Sequence, residues 1–536
     1  MQSYILYPLC FLAAFLLYNV ATFITSELRH RKNARLNNCE KATPLKSNDP
    51  LGIRIIVDML KADKERRLVM YFEDLMEAAA KREKFRHSTY ESRLLNLSWK
   101  LTIEPENVKT VLATKFKDFV LGDLRRGNFS PLLGNGIFTN DDKQWEHSRA
   151  LLRPQFVREQ VSDLELEERH VQNLLRALPL NNDGWTNVTD LQKLFFRLTI
   201  DSASEFLFGK SIESQLVELP DYAPSGEEMK LSGQTFANSF DRAQRVIANS
   251  STLGGLYWLG HTREFKKDCK VCHDFIDQYV HEALARPTTG KSEAEKQKYV
   301  FLEALLESTR DPIELRGELL NIMLAGRDTT ASLLSFVFVY LEQHPKVFAK
   351  LRATIIEDFG TYSDPRNITF TSLKNCAYLQ WCMNETLRLQ PVVPIDARTA
   401  VRDTVIPTGG GPDGRSPIYI RAGEEVNWSV YVMHRRKDIW GPDADSFNPS
   451  RWNGRKVGWE YLPFNGGPRI CIGQQFALTE AGYVIVRLLQ RFEGLSGVGN
   501  TWEPVEKGGF GFVRQALSLT MAPADGVKVR LKEARE

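Results

Sequence analysis

The segment 464–473 reads FNGGPRICIG and combines a rigid turn with a cysteine. Gly466, Gly467 and Pro468 form a turn that can lie close to a flat ligand. A helical apolar pattern begins right after Cys471, so this cysteine is expected at a helix N-terminus, where the helix dipole favours the thiolate over the thiol. Such a thiolate can bind a soft metal or attack an electrophile. No Ser/His/Asp or Cys/His partner lies nearby in the sequence to make it a hydrolytic nucleophile.

Helical patterns dominate the rest of the chain. The apolar residues from Leu315 to Leu341 continue until His344-Pro345 ends the pattern, and a helix this apolar is expected to cross the core. The other candidates are helices over 371–389 and 474–492, strands over Ile418–Val426 and Leu517–Thr520, and a turn at Gly409–Gly414. The predicted fold class is therefore mainly α with a small β portion.

Composition excludes several classes of protein. In 536 residues, Lys+Arg 70 and Asp+Glu 67 leave a net charge of +3, so no global field attracts nucleic acid. Hydrophobic residues at 43% suit a large folded core. Seven scattered cysteines do not form a disulfide framework and fit a reducing compartment. No Walker loop or strand–GxGxxG–helix unit is present, so the chain is not expected to hold a nicotinamide cofactor itself.

The N-terminus predicts a membrane anchor. Residues 4–24 form an apolar run without a charged residue, about as long as a bilayer-crossing helix. Basic residues follow this run and none precedes it, which predicts a lumenal N-terminus and a cytosolic remainder. We therefore expect a signal-anchor over 1–24, a basic linker over 25–44 and one large domain over 45–536. A buried core helix is the alternative for the apolar run.

A second cysteine motif, Cys269-Lys270-Val271-Cys272-His273, fits the c-type haem attachment pattern. Taken alone it would indicate a membrane-tethered electron-carrying cytochrome. The segment also carries one helical apolar stripe, made of Phe265, Cys269, Cys272, Phe275, Ile276, Tyr279, Val280 and Leu284. The stripe favours a core-facing helix with small buried thiols.

The pattern Phe464-x-x-Gly467-x-Arg469-x-Cys471-x-Gly473 resembles the haem-binding loop of the cytochrome P450 monooxygenases. The resemblance implies the cytochrome P450 fold, with a long central helix over the haem and the cysteine loop beneath it. It implies that Cys471 is the axial thiolate ligand of the haem iron. It further implies that Phe464 packs near the sulfur, that Arg469 pairs with a haem propionate and that Gly473 lets the helix approach the porphyrin.

Three other stretches resemble the same family, in the family's order. Ala325-Gly326-Arg327-Asp328-Thr329-Thr330 resembles the oxygen-activating motif, in which Asp328 and Thr329 relay protons to dioxygen. Glu385-Thr386-Leu387-Arg388 resembles the E-x-x-R ion pair, which Arg451 joins as a third, structural member. The remaining propionate-binding candidates are Trp145, Arg149 and Arg398.

Within the family, the chain resembles the fungal membrane-bound n-alkane and fatty-acid hydroxylases. It departs from that group at Gln390, Asp396 and Ser450, where Tyr, Asn and Glu are usual. Ala325 stands where related animal ω-hydroxylases carry a Glu esterified to haem, so haem b is expected to be bound non-covalently. Family position also suggests a substrate pocket lined by Leu324, Ala325, Val392, Val393 and Leu517.

The resemblance implies a membrane-anchored enzyme that inserts one oxygen atom of dioxygen into a C–H bond, most naturally at or near the end of a long-chain fatty acid or n-alkane. Its expected partners are NADPH–cytochrome P450 reductase and cytochrome b5, in the endoplasmic reticulum membrane, with a single membrane pass and a cytosolic catalytic domain. Four alternatives stay open: a tailoring oxygenase of a polyketide or terpenoid pathway, a hydroperoxide-rearranging haem protein, the electron carrier above and a haem-storage protein.

Overall fold

The structure is a computed structural model that describes residues 2–46, 49, 52–94, 97–156, 164–216, 219, 227–286, 300–499, 503–505 and 509–535. In these ranges the α-helices are α1 (Gln2–Leu36), α2 (Ile53–Lys64), α3 (Leu68–Glu83), α4 (Pro105–Lys109), α5 (Asp123–Leu133), α6 (Asp142–Leu152), α7 (Leu164–Arg176), α8 (Leu191–Phe208), α9 (Glu227–Ser251), α10 (Arg263–Ala285), α11 (Phe301–Leu306), α12 (Pro312–Gln343), α13 (Pro345–Phe359), α14 (Phe370–Asn375), α15 (Ala377–Leu389), α16 (Val430–Met433), α17 (Lys437–Trp440) and α18 (Gln474–Arg491).

The strands are short, which confirms a mainly α fold with a small β portion. They are β1 (Thr43–Pro44), β2 (Thr89–Leu94), β3 (Leu97–Thr102), β4 (Phe119–Val120), β5 (Thr189–Asp190), β6 (Ile395–Ala400), β7 (Thr404–Gly410), β8 (Ser416–Ile420), β9 (Glu425–Ser429), β10 (Phe492–Gly497), β11 (Glu503–Val505), β12 (Gly509–Phe512), β13 (Gln515–Leu517), β14 (Met521–Pro523) and β15 (Lys528–Glu533). The predicted turn at Gly409–Gly414 joins β7 to β8 in an antiparallel hairpin.

The chain divides into two compact units. The first consists of Met1–Gly52, Asp74–Val120 and Ala397–Trp428. It carries α1, the β7–β8 hairpin and most of a six-stranded sheet in the order β1-β2-β3-β9-β6-β4. The second consists of Ile53–Glu73, Leu121–Asp396 and Ser429–Glu536, and it contains nearly all the long helices.

Helix α12 forms the centre of the second unit. It begins where Asp311 accepts the Ile313 N–H at 2.9 Å, with Pro312 in the first turn, and it ends at His344 before Pro345. Of the described residues, only α12 is long and apolar enough to cross a membrane, but 83% of its apolar window is buried inside the protein. It is therefore a core helix, as its composition predicts, and α8, α9, α10 and α11 pack into the same apolar cluster.

One of the two predicted helices is interrupted, and the other is confirmed. The single helix predicted over 371–389 is broken at Cys376, whose backbone is extended, and a reciprocal cap between Thr369 and Ser372 starts α14 separately. The helix predicted over 474–492 is α18, which begins at Gln474 as expected, three residues after Cys471 and not directly after it. The reason is that the Cys471 N–H donates to Phe464 O at 3.0 Å, which holds the cysteine in a loop.

The segment 25–44, predicted as a basic linker, contains the end of α1 and strand β1. Helix α1 continues through it to Leu36, and Thr43–Pro44 pairs with β2. In this segment Arg421 forms an ion pair with the Glu27 carboxylate at 2.8 Å, and His30 Nδ1 lies 3.3 Å from Asp403 Oδ2.

Candidate functional site

The cysteine loop is closed by its own backbone. Gly467 has φ 67°, a left-handed conformation that glycine adopts without strain, and it starts a 3₁₀ turn over Gly467–Arg469. The Ile470 N–H donates to Gly467 O at 3.1 Å, and Asn465 has φ 62°. This sequence of turns leaves Cys471 exposed on one side of the loop.

Opposing effects act on the pKa of the Cys471 thiol. The protein atoms packed around the loop desolvate the thiol and raise its pKa, although the N–H of Gly473 and the charge of Arg149 act in the opposite direction. The helix dipole does not dominate, because α18 begins only at Gln474. A metal ion at the sulfur would itself supply the charge that converts the thiol into a thiolate.

Helix α6 brings an aromatic ring and a cation to this loop. Arg149 Nη1 donates to Ile470 O at 3.0 Å, and its guanidinium lies 5.8 Å from the ring of Trp145. Arg469 stands 4.4 Å from the same ring and forms an ion pair with Asp141 at 2.7 Å. The structure thus assembles the predicted Trp145, Arg149 and Arg469 beside Cys471.

Asp141 is a member of the site that the sequence did not reveal. Its carboxylate accepts the backbone N–H groups of Leu121 at 2.9 Å and Gly122 at 3.0 Å, as well as the Arg469 guanidinium. Asp141 therefore fixes Arg469 at the start of α6. An Asp before a helix is a common cap, so no sequence signal distinguished it.

The middle of helix α12 is buried except at one place. Between Gly317 and Leu341 every residue is buried except Ala325, Gly326 and Thr329, which share one side of the helix. The apolar cluster that includes Leu324 is also contacted by Ile472 and Phe476, which flank the cysteine loop.

These features fit a haem. The partly buried stretch of α12 at Ala325, Gly326 and Thr329 adjoins Leu324 of an apolar cluster, and Ile472, next to Cys471, contacts the same cluster. A cysteine sulfur is a suitable axial ligand for iron, and the Arg149 and Arg469 guanidinium groups are suitable partners for propionate carboxylates.

The acid and the alcohol of α12 have different surroundings. Thr329 lies in the partly buried stretch, and its Oγ1 donates to Ala325 O at 2.6 Å. Asp328 is buried, and burial raises its pKa to about 6, although the Arg327 guanidinium 3.2 Å away lowers it. Asp328 can therefore hold or release a proton near neutral pH, as a proton relay requires.

The predicted ion-pair triad forms. Arg388 contacts both carboxylate oxygens of Glu385, at 2.8 and 2.9 Å, and both side chains are fully buried. Arg451 Nε lies 3.2 Å from Glu385 Oε1. Trp452 donates to Glu385 and Asp443 pairs with Arg451, two partners that the sequence did not reveal. A charge this buried requires such complete pairing, which supports a structural role.

Only some of the residues predicted to line the pocket lie close to one another. The Met521 N–H donates to Val392 O at 2.9 Å, and Met521 pairs with Leu517 across the β13–β14 hairpin. Leu324 and Val392 are buried, whereas Val393 is 39% exposed. The lining role of these residues remains a prediction.

Two of the departures from the hydroxylase group have structural partners. Gln390 is buried; it donates to Tyr340 Oη at 3.1 Å and accepts from Gln515 at 2.8 Å. Asp396 pairs with Arg125 at 3.1 Å and accepts from Asn465 at 3.0 Å. Gln390 thus has a structural role, and Asp396 stabilises the cysteine loop through its hydrogen bond with Asn465.

Arg398 belongs to the other compact unit. There its Nη1 donates to Ala397 O at 2.6 Å, and its guanidinium lies 5.4 Å from the ring of Trp428. Its propionate-binding role remains a prediction.

The second cysteine motif lies in the core. Cys269 and Cys272 are buried on α10, and His273 Nε2 contacts Leu132 O at 2.8 Å. The described residues contain no cluster of three or more His, Cys, Asp or Glu side chains arranged to hold a metal ion. The prediction of a core-facing helix is confirmed.

Comparison with known proteins agrees with this geometry. The family model described as Cytochrome P450 matches residues 69–521. Cytochrome P450 monooxygenase g430 of Fusarium sp is 48% identical in an alignment of 538 positions that covers 98% of this chain and 89% of the relative. Cytochrome P450 52A13 of Debaryomyces hansenii is 42% identical in an alignment of 515 positions that covers 96% of this chain and 95% of the relative. Cytochrome P450 52A3-B of Candida maltosa is 42% identical in an alignment of 533 positions that covers 98% of this chain and 97% of the relative.

Proposed function

The chain belongs to the cytochrome P450 family and is a monooxygenase, and we propose that it hydroxylates a long-chain fatty acid or n-alkane at or near the end of the chain. The observation that carries this proposal is the partly buried stretch of α12. Ala325, Gly326 and Thr329 are only partly buried, in a stretch of α12 that otherwise packs among Leu, Ile and Phe side chains. A flexible apolar chain gains most from such a site, because its burial removes apolar surface from water at about 25 cal/mol per Å².

The same site would hold non-covalent haem b. Cys471 would supply the axial sulfur, while Arg149 and Arg469 would face the propionates. Once bound, the haem supplies dioxygen activation, using electrons from a reductase. Ala325 carries no carboxyl group for an ester bond to the haem. We therefore expect acidified butanone to extract the haem completely. Haem mass retained on the denatured polypeptide would contradict this.

Two side chains of α12 would handle protons. Thr329 holds its hydroxyl proton toward Ala325 O, so the Oγ1 lone pairs can accept a hydrogen bond from water. Asp328, buried one residue earlier, can release a proton near neutral pH because burial raises its pKa to about 6. Thr329 would orient water at this place and Asp328 would replace the protons consumed there.

The membrane anchor and the partners complete the proposal. Side chains of α1 such as Phe11, Leu17 and Phe23 are 69–76% exposed, and exposed apolar side chains along one helix are expected to contact lipid. The enzyme would lie in the endoplasmic reticulum membrane with its catalytic part in the cytosol. There it would take electrons that originate from NADPH through a separate cytochrome P450 reductase, with cytochrome b5 as a second donor.

An optical titration of the purified ferric protein tests the substrate class. Fatty acids and n-alkanes of increasing chain length are added while the Soret band is followed. We expect a saturable shift from low spin to high spin that is strongest for one range of chain lengths, because a fitting chain displaces water from the haem. A thiolate-type Soret band that no member of the series shifts would leave the enzyme class intact and favour a tailoring oxygenase with a polyketide or terpenoid substrate.

A further inference from the structure

Helix α9 reaches the buried acid of α12 through two of its side chains. Asp241 and Gln244 lie one turn apart on α9. The Asp241 carboxylate receives both arms of the Arg327 guanidinium, with Nη2 at 3.1 Å from Oδ2. The Gln244 amide hydrogen-bonds the side chain of Asp328, and its own Oε1 has no hydrogen-bond partner among the described residues. Neither α9 residue belongs to a motif that the sequence revealed.

Arg327 is shared between two carboxylates. Its Nη1 lies 3.2 Å from Asp328 Oδ1 and also contacts Asp241. Asp328 and Arg327 are buried, whereas the Asp241 side chain is 47% exposed. A single guanidinium cannot neutralise two carboxylates, so one of them is left undercompensated. Because Asp328 is buried and Asp241 is not, Asp328 is the carboxyl group that is more readily protonated.

The other neighbours of Arg327 add no charge to this group of side chains. The ring of Phe196, on α8, lies 5.4 Å from the Arg327 guanidinium and covers it without carrying a charge. Cys272, on α10, acts electrostatically on Arg327, and burial raises the pKa of that thiol, so it is uncharged at neutral pH. The groups that set the charge of Asp328 are therefore Arg327, Asp241 and Gln244.

We propose that α9 positions the proton-handling acid of this enzyme: Asp241 draws Arg327 away from Asp328, and Gln244 holds the Asp328 carboxyl group in place. Asp241 and Gln244 are positioning residues, because each acts through Asp328. The inference rests on the proposed proton role of Asp328. It adds that a residue on a different helix, reached by solvent, decides how readily Asp328 carries its proton.

The two residues act with opposite signs. Without the negative charge of Asp241, Arg327 turns fully to Asp328 and stabilises its carboxylate, so the pKa of Asp328 falls. Without the Gln244 hydrogen bond, the carboxylate loses a donor and the pKa of Asp328 rises. A residue with a merely structural role would not give paired shifts of opposite direction.

Infrared titration of the resting haem-loaded protein tests the proposal. The carbonyl stretch of protonated Asp328 is identified as the band that Asp328→Asn removes, and its intensity is followed against pH. We expect Asp241→Asn to lower the midpoint and Gln244→Met to raise it, each by about one pH unit. Asp277→Asn, which breaks the 2.7 Å ion pair between α10 and Arg316 of α12, is the matched control and should leave the midpoint unchanged.

Midpoints that stay unchanged in both variants, or that move in the same direction, would overturn the proposal. If Asp241→Asn does not fold, Gln244→Met alone must still raise the midpoint. The titration uses no substrate and no reductase, so it is independent of the proposed substrate class. A wrong substrate class would appear as an absent spin shift with the infrared result intact.

Discussion

The hydroxyl of Thr329 donates to the carbonyl oxygen of Ala325 at 2.6 Å, at the one place where the middle of α12 is only partly buried. This bond satisfies the hydroxyl within the helix, so Thr329 needs no other partner to be stable there. It also fixes the direction of the Thr329 proton. The remaining lone pairs of Oγ1 can accept a hydrogen bond from water at this place.

Removal of the Thr329 hydroxyl should uncouple NADPH consumption from product formation. We expect Thr329→Ala to bind haem normally but to divert NADPH-derived electrons into peroxide, with coupling reduced roughly tenfold or more, because proton transfer by a positioned group typically contributes about 10²–10⁴ in rate. Product and peroxide are measured against NADPH consumed. Thr329→Ser keeps the hydroxyl and should remain largely coupled. Full coupling in the Ala variant would refute the role of Thr329.

Replacement of Cys471 should abolish thiolate ligation. Cys471→Ser lacks the soft sulfur donor, so we expect the carbon monoxide difference spectrum of the reduced protein to lose its thiolate-type Soret band, together with all hydroxylase activity. Cys272→Ala is the matched control. It removes another sulfur, one buried on α10, and should cost about 1 kcal/mol of stability while leaving the spectrum unchanged.

The buried triad should control folding and haem content. Glu385→Gln leaves Arg388 and Arg451 without their shared carboxylate, and loss of one partner of a buried ion pair costs about 3–5 kcal/mol. We expect little folded, haem-loaded protein after expression. Asp274→Asn, which breaks the exposed pair with Lys270, should cost less than about 1 kcal/mol. Normal haem occupancy in Glu385→Gln would contradict the structural role.

A second buried acid on α12 makes stability depend on pH. Burial raises the pKa of Glu318 to about 7 from its ordinary 4.5, and the nearby Glu314 raises it further, whereas Ser148 and His147 lower it. The folded state therefore keeps a proton that the unfolded state has released. The contribution of Glu318 to the free energy of unfolding is fully present below about pH 4.5 and is lost as pH rises through 7. The loss is about 3 kcal/mol in total.

Glu318→Gln should remove this dependence. The amide remains neutral at every pH and can still bond with Ser148, so the variant should melt at a higher temperature than the natural chain at pH 8. The two proteins should melt alike near pH 4.5, the ordinary pKa of the group, which serves as the internal control. A natural chain that is equally stable at both pH values would contradict the assignment of Glu318 as a neutral acid.

The sequence predicted those features that depend on particular residues close together along the chain. The apolar run of α12 follows from composition, whereas the roles of Cys471 and of the Glu385–Arg388 pair follow from motifs that resemble those of the family. Interruptions within a helical pattern were harder to predict. The extended backbone at Cys376, which separates α14 from α15, interrupts a residue pattern that predicts one continuous helix.

Long-range partners were not predictable. Asp141, Asp241, Gln244 and Asp443 are ordinary polar residues in sequence, and each gains a role only because folding brings it to an arginine or an acid far along the chain.

Isotope incorporation tests the monooxygenase assignment most directly. The haem-loaded chain is supplied with cytochrome P450 reductase, NADPH, the chain-length compound that binds best and isotopically heavy dioxygen. We expect one heavy oxygen atom in each hydroxylated product, and no product from Cys471→Ser. A product whose oxygen comes from water, or one that Cys471→Ser forms at the same rate, would contradict the assignment.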